Sequence, residues 1–385
     1  MPLDNTLPFL VALKIHHPDA KITLVSSEQN FRSVIEAEPF LRDTVLKYGI
    51  AIWSSSAKSS TWARRLSVAS VIWKIAIAAF TRRIVLVNSS KLAKWQRGLK
   101  WLMVINRHVH RGLTMELDLV PSSSELDRFM KDALNKNYQR TMSKPVGPIC
   151  DVFVTSLPES AYVSLRAALV LHVGYGRGFQ SWIDEVKNSL TGIDPAIQDN
   201  FIFWPLSVLT RQEKTQTIDL RPMIQNTLKI IMKVGFKSQI VFRYHPTTDR
   251  EQFGELISQI GFQNYVITSA HPHQLMQKCC FVFSNSGSSL FSDAYFFKKP
   301  VVQYTPTSDS FCIADSTGRP VASIFQPVVT RFFSSESEFA HFLSGLGQYS
   351  NQLAVNRARD ENQEYAPIDR LAERSLFAAI FEHGN

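Results

Sequence analysis

Residues 238–304 decide the fold of this chain, and they read SQIVFRYHPTTDREQFGELISQIGFQNYVITSAHPHQLMQKCCFVFSNSGSSLFSDAYFFKKPVVQY. Four short apolar runs in this stretch alternate with longer segments that have helical patterns. The runs are Ile240–Phe242, Tyr265–Ile267, Phe281–Phe283 and Val301–Val302. Alternating strands and helices are typical of parallel βαβ units. The stretch therefore predicts an α/β domain with a parallel sheet.

Two polar clusters follow the first and the third of these predicted strands. Arg243, His245 and Pro246 come after the first strand, and Ser284–Ser289 (SNSGSS) come after the third. Ligands of open α/β sheets bind outside the carboxyl ends of the strands, so both clusters are candidate binding residues. Proline biases the residue before it toward extended geometry, which holds His245 at the strand end. Arg243 and His245 together suit a phosphate, and a surface His-Pro turn is the alternative.

The serine-rich cluster offers hydroxyl groups and backbone amides directly before a predicted helix that runs to about Phe297. Exposed N–H groups at a helix start favour an anion. The alternative is a structural role, in which Ser288 or Ser289 caps the helix. Asp293 lies four residues past Ser289, one turn into the helix, where a carboxylate can reach a ribose diol.

The length of 385 residues favours two domains, because single cores rarely grow past roughly 250–300 residues. We predict an N-terminal α/β domain over residues 1–195, a nucleotide-binding domain over residues 196–350 and a helical tail over residues 351–385. The chain opens on a predicted helix, whereas an α/β domain of this kind usually opens on a strand. We therefore expect that a first strand is missing or that the start site is misassigned.

A glycine-rich segment, HVGYGRG at residues 172–178, follows a predicted strand of the N-terminal domain. Three glycines within five residues permit positive φ angles and close approach of the backbone to a ligand. A functional loop and a simple tight turn fit this segment equally. In a functional loop, Arg177 would contact an anion.

Positive charge is concentrated between Asp43 and Glu116. Residues 44–115 hold thirteen Lys and Arg and no acidic residue, whereas the net charge of the whole chain is +9. The segment also contains five tryptophans: Trp53, Trp62, Trp73, Trp95 and Trp101. Basic residues mixed with Trp suit an anionic membrane surface, which we favour. A basic face with its Trp residues packed inside is the second interpretation, and nucleic acid is the third.

The most apolar stretch, Leu66–Phe80, is interrupted by Lys74 and is shorter than the roughly 20 residues that span a bilayer, so we favour a buried helix over membrane insertion. Met1 is not followed by the basic and apolar regions of a secretory signal, so we favour a cytoplasmic location. The basic segment 44–115 favours peripheral association with the inner face of the membrane. The cysteines form no metal-ligand pattern, and Cys279 and Cys280 adjoin a predicted buried strand, where cysteines behave as small apolar groups.

The set of His245-Pro246, Ser286–Ser289, Asp293 and Lys299-Pro300 resembles the nucleotide domain of GT-B-fold glycosyltransferases. One similar group is the bacterial sialyltransferase-like and Kdo-transferase-like enzymes, whose His-Pro and Ser-Ser motifs hold a CMP-sugar. The other is the CDP-glycerol glycerophosphotransferases of teichoic acid synthesis, whose Thr-Asp-Tyr-Ser-Ser motif has its acidic residue where this chain has Ser286. The resemblance covers most of Phe201–Tyr304 and is only general architecture over the N-terminal half.

The resemblance implies two Rossmann-like domains that face a cleft, with the C-terminal helix packing back on the first domain. It implies a metal-independent transferase without a cofactor, using a CMP- or CDP-linked sugar in cell-surface polysaccharide or lipopolysaccharide synthesis. Asp293 would bind the ribose, and a glycan or lipid-linked acceptor would lie on the first domain. The donor phosphate would be held by His245, Arg243, Ser286, Gly287, Ser288 and Ser289.

The general base is the weakest part of this resemblance. Sialyltransferase-like enzymes take it from an acidic-acidic-Gly loop, and the two acidic positions hold His172 and Val173 here. Either His172 acts as the base, or the base lies elsewhere, with Asp4 and Glu116 as candidates. A nucleotide-sugar epimerase on the same fold and a non-catalytic basic binding module are the alternative functions.

Overall fold

The computed structural model of the chain describes residues 2–26, 31–54, 61–81, 85–88, 104–118, 149–155, 166–173, 177–189, 192–206, 209–212, 217–244, 248–285, 288, 290–306, 313–314, 320–321, 329–346 and 367–382. The chain divides into two compact units. The first contains the described residues within Met1–Pro121, Ser143–Glu185 and Ala366–Asn385, and the second contains those within Val186–Tyr365. The C-terminal segment therefore belongs to the first unit.

Helices and strands alternate through most of the described residues. The strands are β1 (Thr23–Ser26), β2 (Ala51–Ser54), β3 (Val85–Asn88), β4 (Leu113–Asp118), β5 (Ile149–Thr155), β6 (Arg166–His172), β7 (Ile202–Pro205), β8 (Thr210–Gln212), β9 (Thr217–Asp219), β10 (Ile240–Arg243), β11 (Tyr265–Thr268), β12 (Phe281–Ser284), β13 (Val301–Tyr304), β14 (Ile313–Ala314), β15 (Pro320–Val321) and β16 (Arg331–Phe333). The helices are α1 (Pro2–His16), α2 (Phe31–Ala37), α3 (Pro39–Lys47), α4 (Thr61–Thr81), α5 (104–110), α6 (Gln180–Asn188), α7 (Arg221–Lys233), α8 (Arg250–Ile260), α9 (Pro272–Lys278), α10 (Leu290–Phe296), α11 (Glu336–Ser344) and α12 (Arg370–Glu382).

The first unit contains a parallel pair, β1 with β2, and a four-stranded parallel sheet in the order β3-β4-β5-β6. The second unit contains a six-stranded parallel sheet in the order β11-β10-β7-β12-β13-β16. Numbered by their sequence order within this sheet, these strands lie 3-2-1-4-5-6, which is the order of the doubly wound nucleotide-binding fold. The predicted α/β class with parallel sheets is thus confirmed.

The centre of the second sheet is buried on both faces. Every residue of β7, β12 and β13 is buried, which is the pattern of parallel strands that are covered on both sides. Aromatic rings fill this core: the Trp204 and Phe283 rings lie 4.6 Å apart, and those of Phe242 and Phe253 lie 5.1 Å apart. All four strands predicted in Ser238–Tyr304 form, because each is a short apolar run suited to such a core.

The C-terminal helix α12 completes the first unit. Its residues Leu376, Phe377 and Ile380 are buried, and the Phe377 ring packs at 5.2 Å from the ring of Phe9 in α1. The backbone of Ile368 exchanges hydrogen bonds with the segment before α6, donating to Gly178 O and accepting from Gln180 N. The prediction that the C-terminal helix packs back on the first domain is confirmed by these contacts.

Helix α4 forms over the predicted apolar stretch, but only one face of it is buried. Ile75, Ala76 and Ala79 are buried, whereas Trp73 is 67% exposed and Phe80 is 52% exposed. The prediction of a buried helix is therefore wrong for this outer face. Across the residues that the structure describes, no helix combines the length and the apolar character needed to cross a membrane.

Candidate functional site

The strand order of the second sheet reverses between β7 and β12. Doubly wound sheets bind their ligands at the carboxyl ends of the strands that flank such a reversal, where the connecting loops diverge. The register pairs Arg243, at the end of β10, with Pro205, at the end of β7. On the other side of β7, Val282 pairs with Phe203, so Ser284 is level with Pro205. The two predicted polar clusters therefore start level with each other, two strands or about 10 Å apart.

Arg243 lies at the carboxyl end of the second sheet, and a hydrogen bond from its guanidinium fixes its position. The side chain is half-buried, and its Nε donates a hydrogen bond to Ala270 O at 3.0 Å. Ala270 follows β11, the neighbour of β10, so the bond fixes the arginine at the carboxyl end of the sheet. His245, Pro246, Ser286, Gly287 and Ser289 lie outside the described residues, and their predicted roles stay predictions.

Asn285 is a site residue that the sequence analysis did not single out. Its Nδ2 donates to Thr227 Oγ1 at 2.8 Å and to Tyr304 O at 3.0 Å, and its backbone oxygen accepts from Thr305 Oγ1 at 2.6 Å. These bonds fasten the end of β12 to α7 and β13, directly before the serine turn. Asn285 is 4% exposed, and its Oδ1 accepts no hydrogen bond within the described part of the chain. Buried amides are hydrogen-bonded as a rule, and the only sequence signal for Asn285 was its place directly after the predicted strand Phe281–Phe283.

Ser288 caps the helix that follows the turn, which is the structural role that the sequence analysis gave as the alternative to phosphate binding. Its Oγ accepts a hydrogen bond from Leu290 N at 3.3 Å, and its backbone oxygen accepts one from Phe291 N at 3.0 Å. The capping role does not exclude a ligand at the same turn, because the backbone amides of a turn and its hydroxyl groups are separate donors. The predicted phosphate contact of Ser288 stays a prediction.

Asp293 lies in the first turn of α10, where the motif predicts it, but its carboxylate is turned inward. The side chain is 0% exposed, and its Oδ2 lies 3.2 Å from Nε2 of His273, which is also buried. The His273 ring in turn packs at 5.1 Å from that of Phe297. A ribose can contact Asp293 only if this carboxylate turns away from His273, and the predicted ribose contact stays a prediction.

The segment that follows β11, from Ala270 into α9, contacts both Arg243 and Asp293. Ala270 holds Arg243, and His273, three residues later, lies against Asp293. Between them, His271 caps α9, because its Nδ1 accepts a hydrogen bond from His273 N at 3.3 Å. The His-Pro pair at residues 271–272 is thus a helix cap.

His172, a candidate residue of the first unit, also lies at the carboxyl end of its sheet. His172 is the last residue of β6, opposite Thr155 at the end of β5, and its side chain is exposed. Arg177 is 6% exposed and follows glycine-loop residues 174–176, which lie outside the described residues. The base role of His172 and the anion contact of Arg177 stay predictions.

No group of three or more His, Cys, Asp or Glu residues suited to hold a metal ion occurs within the described ranges. Two described cysteines are poor nucleophiles. Burial raises the pKa of Cys150 to about 12 and that of Cys280 to about 11, so both thiols are protonated at neutral pH. Cys280 Sγ donates to Phe201 O at 3.2 Å, which is a packing role.

Comparison with known proteins finds the fold but no family. No family model matches the chain. No curated protein matches it either. Among solved structures, the UDP-GlcNAc 2-epimerase from Methanocaldococcus jannaschii is similar with a TM-score of 0.51 and 9% identity, over 99% of this chain and 96% of that one. Os79 from O. sativa in complex with UDP is similar with a TM-score of 0.52 and 12% identity, over 97% of this chain and 96% of that one.

The fold of this chain is GT-B-like, with two Rossmann-like domains. At these identities the likeness shows the fold alone, and it covers both units, whereas the sequence motifs covered only the second. The narrower resemblance to sialyltransferase-like enzymes and to glycerophosphotransferases stays a prediction.

Proposed function

We propose that the chain is a glycosyltransferase-type enzyme that binds a nucleotide-activated sugar where the strand order of the second sheet reverses. The observation that carries this proposal is the placement of the two polar clusters, which begin level with each other on either side of β7. Nucleotide phosphates are bound at this position in doubly wound sheets. The UDP bound to Os79 supports a nucleotide ligand for this fold.

We propose a CMP- or CDP-linked donor whose phosphate is held by His245 and the serine turn, with Arg243 supplying a fixed positive charge. In the transfer, the bond between the anomeric carbon and the donor phosphate oxygen breaks, and a bond from that carbon to an acceptor oxygen forms. Negative charge then develops on the leaving phosphate. Amides, hydroxyl groups and cationic side chains already in place stabilise that charge without a metal. Asn285 holds the end of β12 in place for this purpose.

The acceptor hydroxyl must lose a proton as it attacks, and we propose His172 as the base that takes it. His172 is exposed at the carboxyl end of β6, so an acceptor on the first unit can reach it. We further propose that the acceptor is a glycan or a lipid-linked glycan, and that the enzyme works at the inner face of the membrane. The basic segment 44–115 would bring it there. A glycerophosphotransferase would use the same donor site with CDP-glycerol.

A thermal-shift experiment with CMP, CDP, UDP, ADP and GDP tests the proposal. We expect CMP or CDP to stabilise the chain selectively, by about 2.7 kcal/mol at a hundredfold excess over the dissociation constant. His245→Ala should abolish the shift. His341→Ala is the matched control, because His341 is an exposed histidine of the same unit.

Each other outcome has a defined meaning. Stabilisation by UDP alone would favour a UDP-linked donor or a nucleotide-sugar epimerase, and the CMP or CDP assignment would be wrong. A shift that survives in the His245→Ala variant would remove His245 from the donor site. If no nucleotide stabilises the chain, both the transferase and the epimerase are wrong.

A further inference from the structure

We propose that the outer face of α4 is a docking surface for an anionic lipid bilayer. Trp73 is 67% exposed, Phe80 is 52% exposed and Ile77 is 47% exposed. These residues recur at positions i, i+4 and i+7, so they form one apolar stripe along the helix. Large apolar side chains that lie together on a surface mark an interaction site, whereas single ones do not.

The stripe is held outward by the way α4 packs. Its other face carries Ile75, Ala76, Ala78 and Ala79, which are buried, so Trp73, Ile77 and Phe80 lie on the side away from the core. Helix α5 fastens the C-terminal end of α4: Asn106 Nδ2 donates to Ala79 O at 2.9 Å, and His110 Nε2 donates to Phe80 O at 2.9 Å. The last carbonyls of a helix lack the N–H donors of a following turn, so these bonds from α5 fix the end of the helix that carries the stripe.

Charge identifies the occupant as an anionic bilayer. Lys74 lies in α4 beside the stripe, with its Nζ 5.3 Å from the centre of the Trp53 ring. In the sequence, the stripe lies between Arg64-Arg65 and Arg82-Arg83, and residues 44–115 contain no acidic residue. Trp, Phe and Ile bordered by Lys and Arg are typical of helices that lie in the interface of an anionic membrane. A second copy of this chain would bring like charges together, and an apolar stripe does not suit nucleic acid.

The exposed Trp73 also separates two interpretations of the basic segment. A plain basic face requires its tryptophans to be packed inside, and Trp73 is not. Val104 and Val109 of the adjoining α5 are exposed too, at 48% and 65%. The purpose of docking rests on the proposed function, because a first unit held at the membrane would meet a lipid-linked acceptor there. The docking itself requires no nucleotide.

Vesicle flotation of the full chain tests the docking. We expect the chain to float with vesicles of phosphatidylcholine and phosphatidylglycerol in a 3:1 ratio, and at least tenfold less with phosphatidylcholine alone. The double variant Trp73→Ser and Phe80→Ser should lower partitioning into the anionic vesicles at least tenfold. Leu371→Ser is the matched control, because Leu371 is an exposed apolar residue of the same unit, at 74%, and it should leave partitioning unchanged.

A second readout distinguishes this proposal from the proposed function. The double variant should keep the circular dichroism spectrum and any nucleotide-induced thermal shift of the wild type, since both changed residues are exposed. Absence of flotation with anionic vesicles, or flotation that the double variant retains, would overturn the docking. So would a concentration-dependent dimer that the double variant abolishes, because a second copy would then be the occupant.

Discussion

Glu373 and Asp293 are both fully buried carboxylates, and they are held in different ways. Glu373, in the first unit, accepts hydrogen bonds from Ser181 N at 2.8 Å, from Ser181 Oγ and from His16 Nε2 at 3.0 Å, and so joins three helices. Asp293, in the second unit, lies 3.2 Å from His273 Nε2 and directly after the serine turn. Buried carboxylates are costly unless such partners compensate. Burial alone therefore does not mark function, and the elements that a buried carboxylate joins decide its role.

Replacing Glu373 should have the larger effect on stability. Glu373→Ala leaves the buried donors of Ser181 and the half-buried His16 without their acceptor, and breaking such a pair costs about 3–5 kcal/mol. The measurement is urea unfolding of the full chain. Glu382→Ala is the control, because Glu382 lies in the same helix and is exposed. A loss below about 1 kcal/mol would show that Glu373 is not the joint that its contacts indicate.

Replacing Asp293 should cost less stability and change ligand preference. Asp293→Asn weakens the contact with His273, which we expect to cost about 1–3 kcal/mol in urea unfolding. Asp199→Asn is the control, since Asp199 is 75% exposed in the same unit. If the carboxylate turns to the ribose in the complex, the wild type should bind CDP about tenfold more tightly than 2′-deoxy-CDP, or roughly 1.4 kcal/mol. Asp293→Asn should lose this preference.

The same pair of nucleotides separates the two roles of Asp293. An equal preference for CDP in the wild type and in Asp293→Asn would show that the carboxylate is structural only. The predicted ribose contact would then be wrong, and the contact with His273 would be the role of this residue. The destabilisation and the loss of preference are independent measurements, so one can occur without the other.

Local patterns predicted the strands of the second sheet, because a buried parallel strand is a continuous apolar run. Phe281–Phe283 is such a run, and it forms β12 with Ser284 as its last residue. No local sequence pattern predicted the contact between His273 and Asp293. The two residues lie in different helices, and only the packing of α9 against α10 brings them together. Asn285 likewise depends on the neighbours of its strand in the sheet.

The outer face of α4 could not be predicted because the helix is apolar on nearly every side. Apolar character alone then does not show which side meets the core. In the structure, the core side carries Ile75, Ala76 and Ala79. The sequence predicted the two polar clusters of the candidate site. Their placement beside β7 required the strand order, which a single sequence does not contain.

Glu185 is a third carboxylate, and it gives the smallest expected effect. It is 9% exposed and accepts hydrogen bonds from Lys47 Nζ and from Tyr48 Oη, the latter at 2.8 Å. Burial, and then this hydrogen bond, raise the pKa of Tyr48 well above its ordinary value near 10. A raised pKa means that the folded chain favours the neutral phenol. The resulting stability is fully present below pH 10 and is lost as the pH rises above it.

Tyr48→Phe should therefore cost about 0.5–1.5 kcal/mol at pH 8, the net contribution of one hydrogen bond. It should cost progressively less above pH 10, where unfolding releases the proton of Tyr48 in the wild type. Melting temperatures between pH 8 and pH 11 measure this difference. Tyr265→Phe is the control, because Tyr265 packs against the rings of Phe242 and Phe262 in the second unit. If the loss of melting temperature caused by Tyr48→Phe is the same at every pH, the Tyr48 hydroxyl is not coupled to Glu185. Lys47 alone would then hold this carboxylate.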